Sequence, residues 1–209
     1  MEPEAEETAP LAGCAHPLDQ SALNQTTPFQ KAVLKTIDFL EKAGIDYFVL
    51  GGLAVGVLGE PRFTGDLDLD IFIAKTEIPG FLKKVKREGF RLNMKEALDH
   101  VEQFGTFRLL REKLPIDVIL ASTELEQAAL RRRKRLALFG RKMWFPSPED
   151  LILLKIIPGR PKDLMDAESI VLRYKGKLEI AYLEKWTRTI SEEAEDFRVV
   201  HCLRKLLRL

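Results

Sequence analysis

The chain has 209 residues, 45% of them hydrophobic and 31% charged, which is enough apolar material for a sizeable core and ordinary for a soluble protein. A formal net charge of +1 gives no overall field for a polyanion, so any contact with nucleic acid must rest on a local patch. Cys14 and Cys202 lie near opposite ends, His16, His100 and His201 are scattered, and no apolar run approaches the roughly 18 residues of a membrane span. These features argue against a disulfide framework, a zinc site or a membrane protein, and for a reduced, cytoplasmic chain.

Residues 1–28 are rich in acids, Pro, Ala and Thr and show no helical or strand period, so a flexible tail is expected there. No basic stretch precedes an apolar one, which argues against a secretory signal, and the Cys14-x-His16 pair reads as incidental. From Phe29 the residues Val33, Ile37 and Leu40 recur at helical spacing until Ala43-Gly44. Tyr47 to Leu50 predicts a strand and Leu53 to Leu58 a short helix, with Gly51-Gly52 between them. Two glycines at such a junction either let backbone N–H groups approach phosphate oxygens or simply permit a tight turn.

After the turn Gly59-Glu60-Pro61, the loop Arg62-Phe63-Thr64-Gly65 leads into a strand in which acids alternate with apolar residues. Leu67, Leu69, Ile71 and Ile73 share one face, and Asp66, Asp68 and Asp70 the other. Neighbouring carboxylates repel and are costly to bury without a positive partner, and a divalent cation is the obvious one. Asp70, about 7 Å beyond Asp68 on the same face, is expected to form a salt bridge with Arg62 or Arg108.

Pro79-Gly80 opens a helix through Glu88, Phe90 to Asn93 reads as a strand, and Lys95 to Gln103 as a helix. Thr106 to Leu110 and Pro115 to Leu120 read as strands joined around Glu112-Lys113-Leu114, with Asp117 and Ile119 opposite Ile116, Val118 and Leu120. Taken alone, Asp117 is an edge-strand acid facing water; taken with Asp66 and Asp68, it is a third acid converging from another strand. Thr123 to Arg133 predicts a helix ending in the cations Arg131 to Arg135, either a solvated face or a contact for RNA phosphates. Lys142 to Phe145 is expected to be the last strand.

A helical part follows, with Ser147 as N-cap, Pro148 at the first helical position and acids in the first turn. Leu151 to Ile157 is apolar all round except for Lys155, which must snorkel out or reach a partner that keeps it charged. Arg160 to Ala167 starts another helix on which Asp163 and Asp166 are surface neighbours. Glu179 to Thr189 and Glu192 to Leu207 would be two more helices, with Trp186, Phe197, Leu203 and Leu206 in the core.

The ordered set Gly51-Gly52, Arg62-x-Thr64-x-Asp66-Leu67-Asp68 and Ile116-Asp117-Val118-Ile119 resembles the DNA polymerase beta-like nucleotidyltransferase superfamily over roughly Gln30 to Leu172, most closely its small stand-alone prokaryotic members of toxin and abortive-infection type. The resemblance implies an α+β fold, a mixed sheet with flanking helices over residues 29–146 and a helical part over 147–209. It implies an enzyme that moves a nucleoside monophosphate from an NTP to an acceptor hydroxyl or amine. Asp66, Asp68 and Asp117 would hold two Mg²⁺ ions, and Asp117 would take the acceptor proton. Gly51, Gly52, Arg62, Thr64, Lys155, Lys162 and Asp163 would contact or position the nucleotide. An RNA or tRNA end, a protein side chain or a small molecule could be the acceptor, and toxin-type relatives imply an antitoxin partner. The alternative is a non-catalytic nucleotide- or RNA-binding partner, such as an antitoxin-like scaffold.

Overall fold

In the computed structural model, which describes residues 26–208, helix α1 (Pro28–Lys42) begins at a capping box: the Gln30 N–H donates to Thr27 Oγ1 and the Thr27 N–H to the Gln30 side chain. The expected tail lies outside the described residues except at its end, where Thr27 and Pro28 belong to the helix start. The helix buries Val33, Ile37 and Leu40, as their spacing requires. Then follow β1 (Asp46–Val49), α2 (Gly51–Leu58), β2 (Leu67–Phe72), α3 (Ile78–Arg87), α4 (Met94–Phe104), β3 (Thr106–Arg111) and β4 (Leu114–Leu120). The sheet runs in the order β1-β2-β4-β3, with β2 and β4 parallel and the other pairs antiparallel, so the expected α+β class with a mixed sheet is observed. The strand expected at Phe90 to Asn93 shrinks to one bridge between Arg91 and Leu110. Asn93 ends it by capping α4, its side chain accepting the Glu96 N–H.

The cation run is divided between two elements. Arg131 and Arg132 end α5 (Glu124–Arg132), and Lys134 and Arg135 begin a strand absent from the sequence reading, β5 (Lys134–Leu138), which pairs with β6 (Arg141–Phe145). Phe139 and Gly140 make the connecting turn with φ of 52° and 75°, the left-handed pair that a two-residue hairpin requires. Three of the arginines are held within the fold. Arg133 lies 4.6 Å over the Trp144 ring and pairs with Asp46 at 2.7 Å, while Arg135 lies 5.2 Å from the same ring and pairs with Glu41 at 3.1 Å. Arg132 stacks 4.0 Å over Tyr182 and pairs with Glu149 and Asp150 at 3.4 Å and with Glu179 at 2.8 Å.

Ser147 caps α6 (Pro148–Ile156) as expected, accepting the Asp150 N–H at 3.1 Å. Helices α7 (Pro161–Arg173), α8 (Ile180–Glu193) and α9 (Arg198–Leu206) complete the chain. Leu203 and Leu206 are buried and Trp186 packs against the core, but Phe197 is 63% exposed, contrary to expectation. It occupies the N-cap of α9, off the buried stripe of Val199, Leu203 and Leu206.

The salt bridge expected for Asp70 does not form. The residue is 1% exposed, neither buried carboxyl oxygen has a hydrogen-bond partner, and both arginines assigned to it turn to other acids. Asp70 lies in a central strand between Phe48 of β1 and Ile119 of β4. Burial, reinforced by the nearby Glu126 charge, pushes its pKa up to about 8.

Two consequences are measurable. Asp70 has a folded-state pKa raised above its unfolded value, so its contribution to stability is fully present below about pH 4 and is lost as the pH rises through about 8. Asp70→Asn should therefore raise the melting temperature most in alkaline buffer and flatten its pH dependence. An unaltered profile would show that the carboxyl is not held neutral. For the cation run, Arg132→Ala strips the partner from the buried Glu149 and Asp150 and should cost about 3 kcal/mol in denaturant unfolding. Arg131→Ala, at an exposed position, should change stability by less than about 0.5 kcal/mol.

Candidate active site

The junction between β1 and α2 is shaped by what lies opposite it. The Leu50 N–H donates to the Asp68 carbonyl at 2.9 Å, which lays the glycine pair against β2. Gly51 has a φ of 59°, and any side chain there would overlap the Asp68 carboxylate. At Gly52 an added Cβ would stand 2.6 Å from the Thr64 Cβ. Both glycines thus make room for side chains that face the site.

Asp68 and Asp117 are register partners on the parallel pair β2 and β4, so their side chains share one face of the sheet. Asp66, at the bend before β2, joins them, and one oxygen from each of the three carboxylates lies within 4.8 Å of the others. Thr64 Oγ1 donates to Asp66 at 2.5 Å, which fixes that carboxylate from the loop. The Arg108 guanidinium grips Asp117 with two hydrogen bonds of 2.6 and 2.8 Å. Burial, together with repulsion from Asp66 and Asp117, pushes Asp68 up to about 6, against a weaker pull from Lys155 and Arg62. Three hard oxygen donors in mutual repulsion fit a small divalent cation such as Mg²⁺.

A cluster of opposite design stands beside the acids. Lys155, on α6, neither snorkels nor stays unpaired: its ammonium lies 2.9 Å from Asp163 and 2.9 Å from Asp166, both on α7. Arg62 donates twice to Asp166, at 2.8 and 3.0 Å, and Arg160 donates to Asp163 at 2.5 Å. Burial alone would raise both carboxyls, but hydrogen bonds from Lys155 and Arg160 hold Asp163, and those from Arg62 and Lys155 hold Asp166, below the usual carboxylate range. Asp166 is thus a hub joining loop and helix, a role not assigned from sequence. The visible signal was its spacing of three from Asp163, together with the Pro158-Gly159 turn that folds α7 back on α6.

The residues singled out from the sequence line one cavity of about 420 Å³. Gly51 and Gly52 form one side, Arg62 and Thr64 enter from the loop, and Asp66, Asp68 and Asp117 sit together. Lys155, Asp163 and the exposed Lys162 face them from α6 and α7. Asp70 lines no part of it.

Several solved structures are similar to this chain. That of ANT(2")-Ia in complex with adenylyl-2"-tobramycin is 18% identical, with 76% of this chain and 96% of that chain covered and a TM-score of 0.54, which shows a shared fold. An antigenic nucleotidyltransferase-like protein from Paracoccidioides brasiliensis is 19% identical over 88% of this chain and 94% of its own, with a TM-score of 0.49. The lincosamide antibiotic adenylyltransferase LnuA bound to lincomycin is 17% identical over 70% and 98%, with a TM-score of 0.46. Among curated proteins, none matches the sequence. Residues 31–203 match the model of a family described as nucleotidyltransferases of unknown function, DUF6036. With that match spanning most of its length and the acids and cations gathered in one cleft, the chain belongs to this family of nucleotidyltransferases.

Proposed function

We propose that the protein transfers a nucleoside monophosphate from an NTP to a hydroxyl or amine of a compact acceptor, with Mg²⁺ held by Asp66, Asp68 and Asp117. The observation that carries this is the convergence of the three carboxylates within 4.8 Å, in the same cavity as Arg62, Lys155 and Lys162. The cations suit the triphosphate. Asp163 and Asp166 keep Lys155 and Arg62 charged and aimed before nucleotide arrives. The acceptor oxygen or nitrogen forms a bond to the α-phosphorus, the bond from that phosphorus to the bridging oxygen breaks, and pyrophosphate leaves. Asp117 accepts the acceptor's proton. Mg²⁺ bound among the acids would lower the acceptor's pKa and offset charge on the phosphates. A module that merely bound nucleotide would need the cations but gain nothing from three repelling acids.

The arrangement of the cation run supports the compact acceptor. An RNA end would draw on Arg131 to Arg135, and Arg132, Arg133 and Arg135 are engaged by acids and aromatic rings within the fold. The neighbour ANT(2")-Ia is described with a nucleotidylated small molecule, adenylyl-2"-tobramycin, which is in keeping with the same scale of acceptor. The deciding experiment supplies each α-labelled NTP, Mg²⁺ and separate RNA, protein and small-molecule fractions of a lysate. Label in the small-molecule fraction is expected; label in RNA or protein would overturn the compact acceptor, and no Mg²⁺-dependent transfer at all would overturn the enzyme.

Asp66→Asn and Asp68→Asn should each abolish transfer while leaving the melting temperature unchanged or higher, because a repulsion is removed. Full activity in both would sink the metal assignment. A proton on Asp68 competes with the cation, so Mn²⁺ binding should weaken as the pH falls through about 6, and Asp68→Asn should lose that step. Lys155→Ala should weaken NTP binding and, because it leaves Asp163 and Asp166 short of a partner, should also cost about 2 kcal/mol of stability. Unchanged nucleotide affinity by calorimetry would restrict Lys155 to holding α6 on α7.

A further inference from the structure

We propose that a second cavity, between α4 and β3, is the acceptor site, and that it takes a compact hydroxylated molecule carrying a phosphate or carboxylate. This rests on the nucleotidyl transfer proposed above and names the class of molecule that receives the nucleotide. The cavity has a volume of about 530 Å³, within the range of small-molecule sites. Asp117 and Ile119 belong to its wall and to that of the nucleotide pocket. A hydroxyl placed there can reach Asp117 while the rest of the molecule extends away from the triphosphate. Thr106 and Arg108 are register partners of Ile119 and Asp117, so their side chains line that same face of the sheet. Glu96 and His100 of α4 close the far side with further hydrogen-bonding groups.

The anionic group follows from Arg108. Its guanidinium holds both oxygens of Asp117, yet its side chain is 71% exposed, so it can swing in water once released. Each carboxylate oxygen keeps a further lone pair, so Asp117 can meet a cation while Arg108 holds it, but accepting the acceptor's proton removes the charge that holds the guanidinium. When Asp117 turns to the reaction, Arg108 is left on the cavity wall without its acid. Arg91 stands on the same wall, donating one N–H to the Glu112 carbonyl at 2.9 Å. Arg91, Arg108 and Glu96 then line one cavity, and an oxyanion on the acceptor gives Arg108 a new partner. Arg108 thereby turns from an internal carboxylate to the acceptor's anionic group, and Asp117 is left to take the acceptor's proton.

The test titrates the full chain, loaded with a non-hydrolysable NTP analogue and Mg²⁺, with glucose, glucosamine, glucuronate and glucose 6-phosphate. Binding is followed by the backbone amide NMR signals of Thr106 and His100. The two anionic sugars should bind about tenfold more tightly than glucose, the worth of one charge-assisted contact. Arg108→Gln should abolish that preference and Arg108→Lys should keep part of it. Equal binding of all four sugars, preference for glucosamine, or an anionic preference that survives Arg108→Gln would overturn the proposal. So would an RNA oligonucleotide that shifts the same amides more strongly. Calorimetry with the nucleotide analogue and Mg²⁺ alone reads the nucleotide pocket, which shares Asp117 and Ile119 with this cavity but neither Arg108 nor Arg91. Failure there would strike the transfer reaction itself, and the two failures are distinguishable.

Discussion

Repulsion among three carboxylates is the constraint to which much of this protein answers. The parallel pairing of β2 with β4 places Asp68 directly beside Asp117, and no rearrangement short of a register slip would separate them. The protein manages this charge locally instead of dispersing it. Thr64 donates to Asp66, Arg108 clamps Asp117, and Asp68 is left with its carboxyl pushed up to about 6. Each device is reversible, because a hydroxyl can rotate, an exposed arginine can swing and a proton can leave. The acids are therefore kept compatible with folding while remaining available to a cation.

Beside them the logic is inverted. Asp163 and Asp166 are buried acids whose work is to hold cations, and they are stabilised as carboxylates where Asp68 is not. The contrast comes from neighbours, since all three are largely removed from water. Asp166 receives both Arg62 and Lys155, so the loop before β2 and the helix α6 are fastened at one point. Asp70 has neither kind of partner and stands outside both groups.

Much of this was legible in the sequence. The period of two in Leu67 to Phe72 turns Leu67, Leu69 and Ile71 into the core and Asp68 to the other face, and the lone Asp117 between Ile116 and Val118 reports a second strand facing the same way. The double glycine was legible as a close approach, although what approaches, Asp68 and Thr64, is non-local. Long-range ion pairs were not legible. Asp70 looks like its neighbours in a period-of-two pattern, and only the strands flanking it determine that no cation reaches it. Strand β5 was hidden because its first residues are cations, which read as a solvated helix end until Trp144 supplies a ring for Arg133 and Arg135. Phe197 shows the converse, an aromatic residue whose helix-start position keeps it out of the core.

The arginines at the end of α5 also bear on how the nucleotide pocket moves. Arg132 ties that helix end to Glu149 and Asp150 at the start of α6 and to Glu179 just before α8, and Arg133 ties the hairpin to β1. The element carrying Lys155 is thereby braced against the sheet that carries the acids. Ion pairs so placed oppose hinge opening between the two walls, and a pocket held in shape spends less of its binding free energy on ordering the protein. Selectivity in such a cleft comes from fit to a preset shape, and the mobile parts are single side chains at its rim.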